Sequence, residues 1–156
     1  MESRVDPIAL PQKLHIGVVV KDMDRTIQRL TSTFGIGPWD IKERRYPEEQ
    51  VVVGKGPFSY RVAFADLGPI ELELIEILEG STIHADFLNA RGEGIHHIGF
   101  RVKDLENTVT TLQQQGIGVL QSAFREGSRY VYMDPAELGG IMFEFVERGQ
   151  TTKPSA

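Results

Sequence analysis

The sequence predicts an α+β arrangement in which a βαβββ module occurs twice, with mostly antiparallel sheet. An internal repeat, the apolar periods inside it and the turn residues between its strands predict this. LHIGVVVKDMDRTIQRL (14–30) aligns with HHIGFRVKDLENTVTTL (96–112) at eight of 17 positions, His15/His97 and Gly17/Gly99 among them. IELELIE (70–76) aligns with IMFEFVE (141–147), matching Ile70 with Ile141, Glu73 with Glu144 and Glu76 with Glu147. Both pairs run in the same order, which points to duplication rather than chance. The modules span about residues 10–80 and 92–148 of a single domain, with 1–12 and 149–156 as flexible ends.

Each module opens with a strand and then a helix. Ile16, Val18 and Val20 alternate with His15, Gly17 and Val19, the two-residue period of a strand. Asp22 has N-cap chemistry, and Met23, Ile27, Leu30 and Phe34 form a helical apolar stripe behind it. The second module repeats the plan, with Asp104 as cap and Leu105, Val109 and Leu112 as stripe. Gly35-Ile36-Gly37 and Gly116-Ile117-Gly118 close the two helices. Strands follow at about 38–44, 59–66 and 70–78, then at 117–121, 128–134 and 140–147. Asp66-Leu67-Gly68-Pro69 and Asp134-Pro135 through Gly139-Gly140 are the turns before each last strand. Ser81 to Ala90 forms a connecting helix capped by Ser81.

Composition narrows the function. The chain has 156 residues and 40% hydrophobic residues, enough for a packed core. No cysteine occurs, which excludes disulfides, thiolate metal sites and cysteine nucleophiles and suits a reducing cytoplasm. No apolar run is long enough to span a membrane, and the start MESRVDPIALPQK does not read as a secretory signal. A formal charge of −5 argues against nucleic acid as a partner.

Strand alternation singles out four side chains. Leu72 and Leu74 share one face while Glu71 and Glu73 take the other; Phe143 and Phe145 likewise oppose Glu144. If the apolar faces pack on the helices, His15, Glu73, His97 and Glu144 look into the opposite side of the sheet. A pseudo-two-fold axis would bring both His/Glu pairs into one cavity. Two neutral imidazoles and two carboxylates suit one divalent ion, Zn, Co, Ni, Mn or Fe, whereas carboxylates buried without a cation would be costly.

LHIGVVVKDMDRTIQRL, RVAFADLGPIELELIE, GEGIHHIGFRVKDLE and YMDPAELGGIMFEFVE together resemble the vicinal oxygen chelate (glyoxalase/bleomycin-resistance/dioxygenase) superfamily over about 14–147. Within it the chain is most similar to the methylmalonyl-CoA epimerases. The resemblance implies paired βαβββ modules forming an eight-stranded cupped mixed sheet around one metal, with His15, Glu73, His97 and Glu144 as ligands. It also implies an isomerase or epimerase that moves a proton alpha to a carbonyl through a metal-stabilised enediolate. The base falls on Glu144, with Glu73 second. A glyoxalase I-like lyase would show the same four residues. A non-catalytic small-molecule binding or resistance protein is the alternative of another class. Relatives of this kind pair as homodimers, so a homodimer acting on a small molecule is expected.

Other residues are assigned around this set. Trp39 is placed at the cavity mouth, Arg101 on the cavity face as partner of a substrate carboxylate, and Tyr130 and Tyr132 on one face near substrate oxygens. Phe124, Arg125 and Arg129 are assigned to a lid, and Lys42 to Arg45 to a solvated face. His84 and His96 receive no chemical role. No basic cluster for a CoA phosphate is legible, and Asp134-Pro135-Ala136 stands where the epimerases show His-Pro-Lys.

Overall fold

A computed structural model describes residues 5–149; residues 1–4 and 150–156, a third of the first predicted flexible end and all but one residue of the second, lie outside the described residues. The chain runs β1 (Leu14–Val19), α1 (Met23–Phe34), β2 (Asp40–Tyr46), β3 (Val51–Val53), β4 (Phe58–Asp66) and β5 (Ile70–Gly80). It continues through α2 (Ile83–Arg91), β6 (Gly94–Arg101), α3 (Leu105–Gln114), β7 (Val119–Arg125), β8 (Ser128–Met133) and β9 (Phe143–Arg148). The α+β class and the repeated modules are as expected. Among the described residues the sheet has nine strands rather than eight, in the order β2-β4-β5-β1-β6-β9-β8-β7-β3. The extra strand, β3, leaves the first module and pairs with β7 of the second. Three valines carry too little alternation to be read as a strand, and their pairing partner lies some seventy residues away.

The modules meet where β1 and β6 pair antiparallel, while each joins its own last strand in parallel, β1 to β5 and β6 to β9. Helices cover the outer face. Val20, Met23, Ala63 and Leu74 pack under α1, and Phe100, Leu105, Met133 and Phe145 under α3. The inner face holds an aromatic cluster of Tyr46, Phe58, Tyr60, Tyr130 and Tyr132 with Val62 and Ile75.

Both helices start on the predicted caps. Asp22 accepts from the Arg25 amide and Asp104 from the Asn107 amide, both at 3.0 Å. The duplicated glutamates complete these starts. Glu76 accepts from the Met23 amide and Glu147 from the Leu105 amide, each at 2.6 Å. A carboxylate on a free first-turn N–H also meets the positive end of the helix dipole. Gly35 ends α1 in the left-handed conformation with φ 69°, its amide donating to Thr31 O at 2.9 Å.

Three local expectations are corrected. Phe34 keeps the helical spacing but is 72% exposed, because it is the last residue of α1, next to the left-handed Gly35 that ends the helix. The cap of α2 is Thr82 rather than Ser81, accepting from the His84 amide at 3.1 Å. Phe124 and Arg125 end β7, while Arg129 lies in β8; only Glu126-Gly127 intervene, so this segment is a tight hairpin and not a lid.

Candidate metal centre

The centre lies across the junction of β1 and β6, and the strand register explains its assembly. His15 pairs with Gly99, and Gly17 with His97. On the flanks Glu144 sits beside Gly99, and Glu73 beside Gly17. Each imidazole therefore lies over the glycine of the opposite module. A Cβ built on Gly17 would come within 1.9 Å of His97 Cε1, and one on Gly99 within 1.9 Å of His15 Cε1. The duplicated glycines are thus the floor on which the rings rest.

The four donor atoms converge. His15 Nε2 is 2.6 Å from Glu144 Oε2, 3.2 Å from His97 Nε2 and 3.5 Å from Glu73 Oε2. His97 Nε2 is 3.2 Å from both Glu73 Oε2 and Glu144 Oε2. Ligands held about 2.0–2.2 Å from one ion stand roughly 3.0–3.5 Å apart in octahedral or tetrahedral geometry. Most of these separations match that spacing, so the histidine/glutamate cluster fits a single divalent ion. With no thiolate present, the donor chemistry leaves the ion's identity open among the borderline metals.

Without metal, the same closeness redistributes protons. Burial alone would lower His97, but the Glu144 and Glu73 carboxylates outweigh it and raise the imidazole to about 9. His15 is also raised: burial works downward, and its hydrogen bond and charge contact with Glu144 exceed it. Burial pushes Glu144 upward, yet His97 and His15 hold it well below the usual carboxylate range. His97 Nδ1 lies 3.0 Å from His96 Nδ1. A proton on His97 Nδ1 donated to His96 leaves the Nε2 lone pair facing the cluster, the tautomer a ligand needs.

The sequence model of the glyoxalase/bleomycin resistance protein/dioxygenase superfamily matches residues 14–132. The chain belongs to this superfamily. Among relatives of this superfamily member, the uncharacterised protein YqjC of Bacillus subtilis (strain 168) is 33% identical over 137 residues, 85% of this chain and 89% of that protein. A probable chloroplastic lactoylglutathione lyase of Arabidopsis thaliana is 29% identical over 143 residues, 90% of this chain. The chain spans only 37% of that plant protein's length. A Streptomyces coelicolor methylmalonyl-CoA epimerase solved with 2-nitronate-propionyl-CoA superposes with TM-score 0.69 at 25% identity, covering 94% of this chain and 100% of that one.

In this superfamily member the centre opens into a cavity of about 430 Å³. Tyr60, Val62, Phe64 and Tyr130 line one wall, with His15, Glu73 and Glu144 below. Arg101 and Tyr130 stand on the cavity, the latter with its hydroxyl accepting from Gln121 Nε2 at 3.1 Å. Trp39 does not. It packs outside the sheet with Val20 and Met23, donating from Nε1 to Thr31 Oγ1 at 3.0 Å and Ile36 O at 3.1 Å. Tyr132 lies behind the centre, its hydroxyl 2.9 Å from His84 Nε2 rather than on the cavity.

His84 is fully buried, and its place was not legible on a short connecting helix. Its Nδ1 meets Thr82 Oγ1 at 2.8 Å while Nε2 meets Tyr132. His84, His96 and His97 also bring ligand atoms within 4.8 Å of one another. Both His84 nitrogens are already engaged, so this group supports the centre rather than forming a second one. Burial keeps His84 well below its ordinary pKa and takes His96 down to about 3. Among the described residues no helix is long and apolar enough to cross a membrane.

Proposed function

We propose that the chain is a metal-dependent isomerase or epimerase that moves a proton on the carbon alpha to a carbonyl of a small acid or its thioester. His15, Glu73, His97 and Glu144 would hold the metal. The observation that carries this reading is the placement of one carboxylate from each module on either side of the imidazole pair, both 3.2 Å from His97 Nε2. When bound, a divalent ion supplies positive charge that steadies negative charge growing on substrate oxygens.

The chain's own residues then divide the work. Glu144, ionised through the neutral range, accepts the proton from the alpha carbon. Glu73, entering from the other module, would take a proton from solvent and deliver it to the opposite face, which inverts the centre, while Glu144 gives the proton it took to solvent. Tyr60, Val62, Phe64 and Tyr130 form a wall that shields the reacting carbon from bulk water. The Tyr130 hydroxyl and Arg101 orient the substrate from above. Similarity to the Streptomyces coelicolor methylmalonyl-CoA epimerase makes methylmalonyl-CoA the first substrate to assay.

Incubation of the metal-loaded chain with methylmalonyl-CoA in deuterated water should place deuterium on the alpha carbon. Glu144→Gln and Glu73→Gln should each slow exchange by about 10²–10⁴. Wild-type exchange in both variants, with metal still bound, would remove the assignment. The similarity to a probable lactoylglutathione lyase supports a second reading, isomerisation of a glutathione thiohemiacetal. Turnover of that adduct with no exchange into the thioester would favour it.

A further inference from the structure

The open end of the cavity gathers five cations, and among the described residues only one of them belongs to an ion pair. Lys13, Arg44, Arg101, Arg125 and Arg148 line it, against Glu71, Glu73 and Glu144, in a chain whose formal charge is −5. Lys13 is engaged by Asp66 at 3.4 Å. Among the described residues the four arginines have no carboxylate within ion-pair distance.

They come from four strands. Arg125, Ser128 and Arg148 form one cross-strand row over β7, β8 and β9. Arg101 pairs with Val146, two residues before Arg148 on the same face of β9. Arg44 projects from β2 on the cavity side, beside Tyr46. Arg125 Nε is buried with no hydrogen-bond partner. Arg44 and Arg148 are lowered first by burial and then by other arginines, Arg125 for Arg44 and Arg101 with Arg125 for Arg148. Arg44 and Arg125 are half-buried while Arg101 and Arg148 are exposed at the rim; like charges gathered without counter-charge repel one another, and a bound anion relieves that repulsion.

We propose that Arg44, Arg101, Arg125 and Arg148 form an anion-binding subsite at the open end of the cavity, and that the substrate of the centre is a compact acid carrying a second carboxylate or phosphate group held there. The substrate half of this statement rests on the proton-transfer reading above. Arg101 stands two residues beyond Gly99, and Arg148 four beyond Glu144, so the subsite starts about 7–13 Å along the strands from the donor cluster. The cavity of about 430 Å³ suits a small dianion bridging the two ends.

The test is calorimetric titration of the full chain with inorganic phosphate and with succinate, each with and without added zinc. Wild type should bind one anion, more weakly as ionic strength rises. Arg101→Gln and Arg148→Gln should weaken binding at least tenfold. Arg29→Gln, an exposed arginine on α1 with the same charge change, should not. Tighter phosphate assigns a phosphoryl group to the substrate and tighter succinate a carboxylate; either supports the subsite. The melting temperature of Arg148→Gln should equal or exceed that of wild type, which separates lost binding from lost folding. Equal affinity in wild type, Arg101→Gln and Arg148→Gln, or the same weakening in Arg29→Gln, overturns the proposal. If the arginine dependence appears while zinc has no effect, only the reading of the metal centre fails.

Discussion

Gly17 and Gly99 offer the most direct handle on the centre, because each can be perturbed by a single methyl group. On Gly17 that methyl would lie 1.9 Å from His97 Cε1, 2.3 Å from Nε2 and 2.4 Å from Nδ1. On Gly99 it would lie 1.9 Å from both His15 Cε1 and Nε2. Carbon atoms rest about 3.5–4.0 Å apart, so either ring must retreat by roughly 1.6 Å or more. Metal–ligand distances tolerate about 0.2 Å. The displaced imidazole therefore leaves the donor set, and the loss should exceed the 10–100-fold that outer contacts to a ligand usually control. Gly17→Ala and Gly99→Ala should each bind zinc more than about 100-fold more weakly, a loss above about 2.7 kcal/mol, in a competition titration against a chelator. Overpacking should also cost roughly 1–3 kcal/mol of stability, read from urea midpoints. Gly118→Ala is the control, since its methyl would enter open space. Zinc affinity within threefold of wild type in both Gly17→Ala and Gly99→Ala would refute the view that these glycines seat the ligands.

Metal-free chain should be most stable near pH 6.5. Above it, His97, raised to about 9, keeps a proton that the unfolded chain has lost, so stability falls as pH rises towards 9. Below it, the unfolded chain takes protons that His84 and His96 refuse, with His96 held at about 3, so stability falls as pH drops. Urea midpoints at pH 5, 6.5 and 9 check both limbs, and saturating zinc should abolish the alkaline decline because a ligating imidazole has already lost its proton. Tyr132→Phe leaves His84 Nε2 buried without its partner and should cost about 1–3 kcal/mol in the same measurement. Glu147→Gln should cost more than Glu76→Gln, because Glu147 is the more buried cap and its arginine partner, Arg129 at 3.4 Å, is nearer than the Arg61 of Glu76 at 3.7 Å. Equal midpoints for the two variants would contradict that ranking.

The duplicated parts of the molecule were readable because the same residues had to do the same job twice. His15/His97 and Gly17/Gly99 fall in one aligned block because each histidine needs the other module's glycine. Glu76 and Glu147 align because each caps the helix of its own module. Features that occur once were not readable. Arg44 sits in a charged run whose alternation is the same whether that face meets water or a cavity. Arg125 and Arg148 meet only through the pairing of β7, β8 and β9, which no local pattern reports. Trp39 illustrates the parity problem: one residue of register decides between the inner and outer face of a sheet, and the Gly37-Pro38 turn before it hides that register.

The symmetry that builds the floor is broken above it, and the break gives the cavity a direction. On the repeat, Arg101 corresponds to Val19 and Arg148 to Ile77. Val19 is fully buried at the end of the cup where α2 packs against β1, β5 and β6, and Ile77 belongs to the aromatic cluster that Ile83 of α2 seals. Among the described residues α2 has no second copy, because it is the connection between the modules. It plugs one mouth with His84 and apolar side chains, and at the mouth it leaves open the same repeat positions carry arginine. In the proposed reaction the substrate approaches the donor cluster past the cations. On the proposed function, two carboxylates related by the pseudo-two-fold axis would then face a ligand whose orientation the arginines set, so that Glu73 and Glu144 would take different parts in one reaction.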